Sequence, residues 1–349
     1  MILLGVLILI VLVVVLFLWW DKFSGLELAF PVVISTLICC AILIPTNMGA
    51  KDSLGDDRMI LNGYVVKKEK RLTSCSHSYT CNCRTTTTGK VTSTTCQTCY
   101  EHSHDYDWLV RSTVGGVYID RVDRQGVKEP KRFTDVVVGE PFSIEKSYFN
   151  YIKASPISVF KDYNAYKDVP IPSYPKIFDY YNVKHVVFWK SQYTEGIEDI
   201  NSMLTEKLKV SSSKAKANVV VIFYGGSDDL IEATKVKQYG GRINDLTVMI
   251  RAEKDGQIKK VGVFSWSKND MVNVLLRDEI LNLGTLNEEN NKKLVDILNT
   301  TLVKYYQHRD NEEFKYLESN IQLPTWVYVV DVLVVLLILG ANIFIRKEM

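Results

Sequence analysis

The apolar residues of this 349-residue chain are concentrated at its two ends, and this distribution constrains the fold more than any other feature. Residues 2–20 contain no charged or strongly polar side chain, and a second apolar run follows at residues 26–45. A third run occupies residues 325–345. Each is close to the roughly 20 residues that a helix needs to cross a bilayer. The sequence therefore predicts three transmembrane helices, at residues 1–22, 26–47 and 325–346.

The borders of these runs fit that prediction. Trp19 and Trp20 precede Asp21 and Lys22, as in an interfacial aromatic belt followed by a polar stop. Pro31 would kink or tilt the second helix without breaking it. The alternatives for the first run are a buried core helix or a cleaved signal peptide, but the run lacks a basic n-region and an A-x-A cleavage site.

The flanking charges predict a topology. With three crossings, Lys22, Arg346 and Lys347 share one side of the membrane, and the long middle of the chain lies on the other. The positive-inside rule places the short basic segments in the cytoplasm. We therefore expect a multi-pass protein of the inner (plasma) membrane of a cell or host, with the lipid bilayer as its first partner and residues 48–323 largely outside the cytoplasm.

Asp331 lies about two turns inside the third predicted helix, where a charge costs at least ~2.5–3.5 kcal/mol on insertion scales. One interpretation is that Asp331 snorkels or is protonated. The other is that it directs membrane assembly, either by facing Thr36, Cys39 or Cys40 of the second helix or by meeting its own copy in an oligomer.

A cysteine and histidine cluster at residues 75–104 holds five of the seven cysteines and three of the five histidines. Two knuckle-like pairs are separated by a polar, threonine-rich stretch with Gly89 as its turn, which is the pattern of a zinc ribbon. The sequence thus predicts a structural Zn²⁺ site made by Cys81, Cys83, Cys96 and Cys99.

Four further side chains could replace one thiolate or build a second site: Cys75, His77, His102 and His104. Strand alternation would place His102 and His104 on the face opposite Asp105. Disulfides are the main alternative for the cysteines, because the expected topology puts them in a space that could be oxidising. Nothing in the cluster matches a catalytic zinc site with three ligands and a placed carboxylate.

The middle of the chain predicts two domains. Residues 58–168 are typical of a β-rich domain, with interleaved aromatic residues near its end, among them Phe160 and Tyr163, that favour a half-buried surface over base stacking. Residues 177–320 alternate between strand and helix patterns, and the run Val219–Tyr224 is typical of a strand buried on both faces. The overall expectation is a membrane-anchored protein of mixed α+β and α/β class.

The second of these domains has an apolar strand at Asn218–Tyr224 and the stretch Gly240-Gly-Arg-Ile-Asn-Asp245 before the next strand. On these features residues 197–306 resemble a TPM domain, a membrane-tethered α/β domain found outside the cytoplasm in bacteria and in the thylakoid lumen. Some TPM proteins are acid phosphatases. This chain departs from the family pattern at Phe264–Asn269 and Leu276–Glu279, so the resemblance does not carry over a phosphatase site residue by residue.

Four further stretches are distinctive, namely residues 96–108, 119–130, 145–153 and 276–286. On these stretches the whole chain resembles a group of poorly characterised membrane proteins encoded by tailed bacteriophages. This resemblance implies a location in the host envelope and no established activity.

The leading functional hypothesis is a non-enzymatic envelope module that binds a protein partner or its own copies, because no convergent set of nucleophile, base and oxyanion donors is visible. The alternative is a TPM-type, divalent-metal-dependent phosphatase-like hydrolase that uses loop carboxylates and amides, namely Asp228, Asp229, Asn244, Asp245, Asn269 and Asp270. Nucleic-acid binding is not favoured: the net charge is only +2, and the threonine-rich stretch offers only Arg84 and Lys90 as cations.

Overall fold

A computed structural model describes residues 2–88, 91–157 and 165–348. Gly89, Lys90, Phe160 and Tyr163, which the sequence analysis singled out, lie outside the described residues. The helices are α1 (Ile2–Trp19), α2 (Gly25–Gly55), α3 (Lys131–Asp135), α4 (Tyr151–Ala154), α5 (Ile197–Ala215), α6 (Leu230–Lys237), α7 (Met271–Asn282), α8 (Glu288–Tyr305) and α9 (Thr325–Glu348), with a 3₁₀ helix at Asn311–Asn320.

The strands are β1 (Asp56–Thr73), β2 (Ser78–Thr88), β3 (Val91–Tyr100), β4 (Asp105–Ser112), β5 (Gly116–Ile119), β6 (Pro141–Phe149), β7 (Ile177–Phe178), β8 (Asn182–Val183), β9 (Val186–Trp189), β10 (Asn218–Tyr224), β11 (Asp245–Ala252) and β12 (Ile258–Ser265). The chain forms two compact units. The first comprises residues 1–57, 147–161 and 311–349, and the second comprises residues 58–146 and 162–310. The predicted mixture of helices and sheets is confirmed.

The first unit is built on α1, α2 and α9, which pack around an apolar core that includes Val11, Val15 and Leu43. Among the described helices, Glu27–Gly55 and Thr325–Glu348 are long and apolar enough to cross a membrane, while Leu3–Trp19 is a shorter apolar helix. Two of the three predicted spans therefore meet this criterion. Helix α2 continues through Pro31 and Pro45 to Gly55, beyond the predicted boundary at residue 47.

Polar side chains connect these apolar helices at several positions along their length. Arg346 forms an ion pair with Asp21 at 2.6 Å, so the α1–α2 turn and the end of α9 lie together. Further along the bundle, Asn342 exchanges hydrogen bonds with Ser35. These contacts fix which faces of the helices meet, because apolar packing alone has little directional preference in lipid.

Asp331 is 1% exposed and accepts two hydrogen bonds from the Asn47 side-chain amide, both at 2.9 Å. The prediction that Asp331 faces the second helix is correct for the element and wrong for the residues, because the partner is Asn47 rather than Thr36, Cys39 or Cys40. Since α2 continues as a helix past Pro45, Asn47 lies within reach of Asp331.

The second unit contains two four-stranded sheets. The first has the order β5-β4-β1-β6 and covers a core that includes Trp108, Phe133 and Phe142. The second has the order β12-β11-β10-β9, in which β9, β10 and β11 are parallel and β12 is antiparallel. As the apolar run predicts, every residue of β10 is buried. Val219 and Val221 face a core shared with α5, α7 and α8, while Val220 and Ile222 face α6.

A buried chain of hydrogen bonds links the two sheets of this unit. Ser143 of β6 donates to Asn62 of β1 at 2.7 Å, and Asn62 donates to Asn218 of β10 at 2.9 Å. Asn218 in turn donates to Asp245 of β11 at 2.9 Å, and Tyr174 donates to the same carboxylate oxygen at 2.9 Å. A buried network with some of its hydrogen bonds missing would cost free energy. The alignment of the two sheets that satisfies all these hydrogen bonds is therefore favoured.

Two buried groups in this region have pKa values that are shifted in opposite directions. Burial raises the pKa of Asp245 to about 6, and burial lowers the pKa of His185 to about 4. The folded protein holds the Asp245 proton more tightly than the unfolded chain, so Asp245 makes the free energy of unfolding fall as pH rises from about 4 to 6. His185 makes the free energy of unfolding rise as pH rises from about 4 to 6.5, because His185 binds its proton more tightly in the unfolded chain than in the folded protein.

We expect the Asp245→Asn variant to show the pH dependence of unfolding that His185 contributes, because the opposing contribution of Asp245 is removed. From pH 4 to 7, the free energy of unfolding of the variant should rise relative to the wild type by about 3 kcal/mol, at about 1.4 kcal/mol per pKa unit. Urea unfolding at several pH values measures this difference. Asp255→Asn, at an exposed turn carboxylate, is the control. Parallel pH profiles for wild type and Asp245→Asn would contradict the assignment.

In the helical unit, Asn47→Leu should lower the stability of the bundle by about 1–3 kcal/mol, because the buried Asp331 carboxylate loses its Asn47 donor. The double variant Asn47→Leu/Asp331→Leu should recover most of this loss, since both partners then become apolar. Unfolding in mixed detergent micelles gives the comparison. The control is Thr46→Leu, because among the described residues the Thr46 hydroxyl donates to the carbonyl of Ile42 in its own helix. An equal loss in Thr46→Leu would show that the contact is not specific.

Candidate metal centre

The candidate centre lies where the β2–β3 hairpin leaves the first sheet. Pairing between β1 and β4 ends at Thr73 and Asp105, and pairing between β2 and β3 begins at Ser78 and Tyr100. Two short irregular segments, residues 74–77 and 101–104, therefore run side by side between the two ladders. The backbone amide of Glu101 donates to the carbonyl of His77 at 3.1 Å and joins them.

Four side chains converge between these segments: Cys75, His77, His102 and Asp105. Their potential ligand atoms all lie within 4.8 Å of one another. The Cys75 Sγ lies 3.8 Å from His102 Nδ1, and the two carboxylate oxygens of Asp105 lie 3.4 Å from His102 Nδ1 and 3.5 Å from His77 Nδ1. The hairpin thus contributes one pair of donors from the segment that enters it and one pair from the residues that follow it.

Two of these separations are close to those of a tetrahedral site. Zinc bonds of about 2.3 Å to sulfur and about 2.0–2.1 Å to nitrogen or oxygen place neighbouring ligand atoms about 3.3–3.7 Å apart. The separations of His102 Nδ1 from Cys75 Sγ, 3.8 Å, and from Asp105 Oδ1, 3.4 Å, lie near that range. All the ligand atoms lie within 4.8 Å of one another, so the cluster could hold a metal ion after its side chains move inward.

Asp105 is the most constrained member of the cluster, and its side chain is 0% exposed. Its Oδ2 atom accepts hydrogen bonds from the Ser76 amide at 3.0 Å, the Ser76 hydroxyl at 3.2 Å and Arg121 at 2.8 Å. The Ser76 amide and the Arg121 guanidinium hold the pKa of Asp105 well below its usual range. The carboxylate is therefore ionised at neutral pH, as a metal ligand must be.

The other carboxylate oxygen is oriented toward the cluster. Within the described part of the chain, Asp105 Oδ1 and His77 Nδ1 are buried and have no hydrogen-bond partner. A buried polar atom left in this state costs about 1–3 kcal/mol. Because both atoms belong to the cluster of potential ligands, a bound cation is the partner that would satisfy them.

Arg121 supports the cluster from outside. Its guanidinium donates to Asp105 at 2.8 Å and to Asp107 at 2.6 Å, so it is held between two carboxylates on neighbouring positions of one strand face. Contacts of this kind behind a ligand fix its orientation and tune the affinity of a metal site.

The predicted Cys₄ ribbon is not present in the structure. Cys81 is joined to Cys99 and Cys83 to Cys96, in two disulfides that cross from β2 to β3. A sulfur atom in a disulfide is no longer a thiolate and does not serve as a zinc ligand. The prediction of four zinc thiolates is therefore corrected to the disulfide alternative for these four cysteines.

The remaining predicted ligands separate into two groups. Cys75, His77 and His102 belong to the observed cluster, which corresponds to the second site that the sequence left open. His104 is outside it: its Nδ1 lies 2.8 Å from the Ser103 hydroxyl, and its Nε2 lies 3.0 Å from the Tyr106 hydroxyl. Asp105 was missed as a ligand, because strand alternation was applied to residues that precede the start of β4.

The residues of the hydrolase alternative divide between two ends of the second sheet. Asp228 follows the carboxyl end of β10 and pairs with Arg251 and Lys260. Asp245 stands at the amino end of β11, which is parallel to β10, and Asn269 and Asp270 follow β12, whose end pairs with the start of β11. Over the 7 residues of β10 these ends are about 23 Å apart at ~3.3 Å per residue. Asp228 and Asp245 therefore do not share a cation site.

Counting thiols distinguishes the disulfides from a thiolate site. The described structure leaves Cys39, Cys40 and Cys75 as free thiols among the 7 cysteines of the chain. We expect three alkylated cysteines per chain after denaturation with a chelator and without reductant, and seven after reduction. Intact-mass spectrometry gives both counts. Seven thiols before reduction, in protein purified from an oxidising compartment, would contradict the disulfide assignment.

Comparisons with known proteins give no further information about this site. No family model, no curated protein and no solved structure matches the chain.

Proposed function

We propose that this chain is a membrane-anchored envelope protein with a structural zinc site, which acts as a protein-binding or self-assembly module. The observation that carries the proposal is the convergence of Cys75, His77, His102 and Asp105 around a buried carboxylate oxygen that lacks a hydrogen-bond partner among the described residues. The resemblance to phage-encoded membrane proteins supports a location in the envelope of a bacterial host.

Zinc is the metal proposed because of the donor set. One thiolate, two imidazoles and one carboxylate suit a borderline-soft, tetrahedral cation, whereas calcium and magnesium take oxygen ligands. Four protein ligands complete the coordination of zinc and leave no position for a substrate or a reactive water. A closed site of this kind stabilises a fold, which is why the proposed role is structural rather than catalytic.

The proposed topology has α1, α2 and α9 crossing the membrane and residues 48–323 outside the cytoplasm. The contact between Asp21 and Arg346 supports it, because a three-crossing chain requires the first turn and the C-terminal end to share one side. The two disulfides support it too, since disulfides persist in oxidising compartments and are rare in the cytosol. The positive-inside rule and the disulfides thus favour the same orientation.

The proposed partner is a protein or a second copy of the chain. Asn47 occupies both oxygens of Asp331 within one chain, so the buried aspartate supports folding of the helical unit itself. Self-assembly would therefore involve other surfaces. The described part of the chain gathers no hydrolytic centre among its loop carboxylates, and this favours a binding role over a phosphatase.

The experiment is a metal analysis of the full-length protein purified in detergent. We expect about one zinc per chain, and Cys75→Ser or His102→Ala should weaken zinc binding by at least about tenfold, since loss of outer contacts alone costs 10- to 100-fold. His104→Ala is the matched control, because it removes a neighbouring imidazole outside the cluster. Competition with a chromophoric chelator gives the affinities.

Two results would overturn the proposal. The first is an absence of stoichiometric metal from protein with intact disulfides. The second is equal weakening by His104→Ala and His102→Ala, which would show that the histidines bind metal without the described geometry.

A further inference from the structure

The β2–β3 hairpin extends away from the sheet that carries it. It forms its own two-stranded sheet, and within the described residues neither strand pairs with a strand outside the hairpin. The side chains described between residues 78 and 100 are exposed, except the half-buried Cys81 and Cys99, which bond each other. The described side chains of the hairpin therefore form no apolar core that would hold it in position, and its orientation depends on its base.

Cross-strand links stabilise the hairpin itself. Two disulfides cross it, and the register runs from Ser78 opposite Tyr100 to Thr88 opposite Val91. Thr85 and Thr94 add a side-chain contact between the strands at 3.0 Å. We expect such a cross-linked ribbon to move as one body rather than to unravel.

The base of the hairpin is the proposed metal site. Its two irregular segments, residues 74–77 and 101–104, are the only covalent connections between the hairpin and the sheet. The described contacts between them include Cys75 with His102, Ser76 with Asp105, and Glu101 with His77. The second segment is also tied to a neighbouring loop, because Arg124 pairs with Glu101 at 3.0 Å and Gln125 donates to the carbonyl of His104 at 2.9 Å.

We infer that the metal regulates the β2–β3 hairpin, called the arm below, by locking its base. With metal bound, the arm is held rigidly against the sheet, and without metal it swings about residues 74–77 and 101–104. The inference rests on the proposed metal site and adds a regulatory role to it. The ligands are placed as such a lock requires, because Cys75 and His77 precede the arm while His102 and Asp105 follow it.

The energetics favour a lock that opens when the metal is removed. Without a cation, the buried Asp105 Oδ1 and His77 Nδ1 lack hydrogen-bond partners among the described residues. Opening of the base lets water reach both atoms and recovers much of their desolvation cost. Asp105 itself stays with the sheet, because Arg121 holds it against Asp107. The moving part is therefore the arm with Cys75, His77 and His102, and its movement exchanges the two hydrogen bonds that Ser76 donates to Asp105 for bonds to water.

Hydrogen–deuterium exchange on the full-length protein in detergent tests the inference, with disulfides intact and with zinc bound or removed by chelator. We expect removal of zinc to speed amide exchange at residues 74–77 and 101–104 by at least about tenfold. Exchange within the hairpin ladder and within the buried strand β10 should change less than twofold. His104→Ala should respond to chelation as the wild type does.

The outcomes separate the inference from the proposed function. If zinc binds stoichiometrically but chelation leaves exchange at the base unchanged, the lock is refuted and the structural zinc site stands. If chelation speeds exchange throughout β1 and β4 as well, the metal holds the whole sheet together, and the lock is again refuted. If no zinc binds, the proposed function fails together with the inference.

Discussion

The structure at the base of the β2–β3 hairpin depends on one carboxylate, because its contacts are divided between its two oxygens. Asp105 Oδ2 is held by Ser76 and Arg121, which fixes the side chain and keeps it ionised, while Oδ1 is left for the cluster of Cys75, His77 and His102. The geometry of the candidate metal centre follows from this division. The first residue of β4 thus belongs at once to the sheet and to the site, and it connects the orientation of the hairpin to the framework of the second unit.

The same physical rule operates in the other buried polar contacts. In the helical unit, Asn47 satisfies Asp331 between two apolar helices, and in the second unit Asn218 connects Asn62 with Asp245 between two sheets. Apolar packing stabilises each of these regions without selecting one alignment, whereas a buried polar group is satisfied in only one. The apolar pattern therefore determines which elements form, and a small number of polar side chains determine their alignment.

This difference explains what could be predicted from the sequence. The strand β10 and the membrane-compatible helices α2 and α9 were predictable, because long apolar runs have few alternative structures. The pairing of the cysteines was not, since C-x-C and C-x-x-C pairs on a hairpin suit either a zinc ribbon or two cross-strand disulfides. Asn47 and Asp105 were missed for a related reason. Asn47 follows the apolar run that ends at residue 45, and Asp105 is the first residue of β4. At such ends the helical or strand period of the sequence gives little indication of the direction of a side chain.

The two disulfides of the hairpin and the metal proposed at its base would have different physical consequences. A disulfide is covalent and persists in an oxidising compartment, so Cys81–Cys99 and Cys83–Cys96 suit the interior of an arm that has no apolar core. Metal binding at the proposed site would be reversible and would depend on the concentration of free metal. With a reversible link at the base and permanent links in the arm, a rigid ribbon would change its attachment without losing its own structure. If the two were exchanged, loss of metal would unravel the arm, and its orientation would stay fixed.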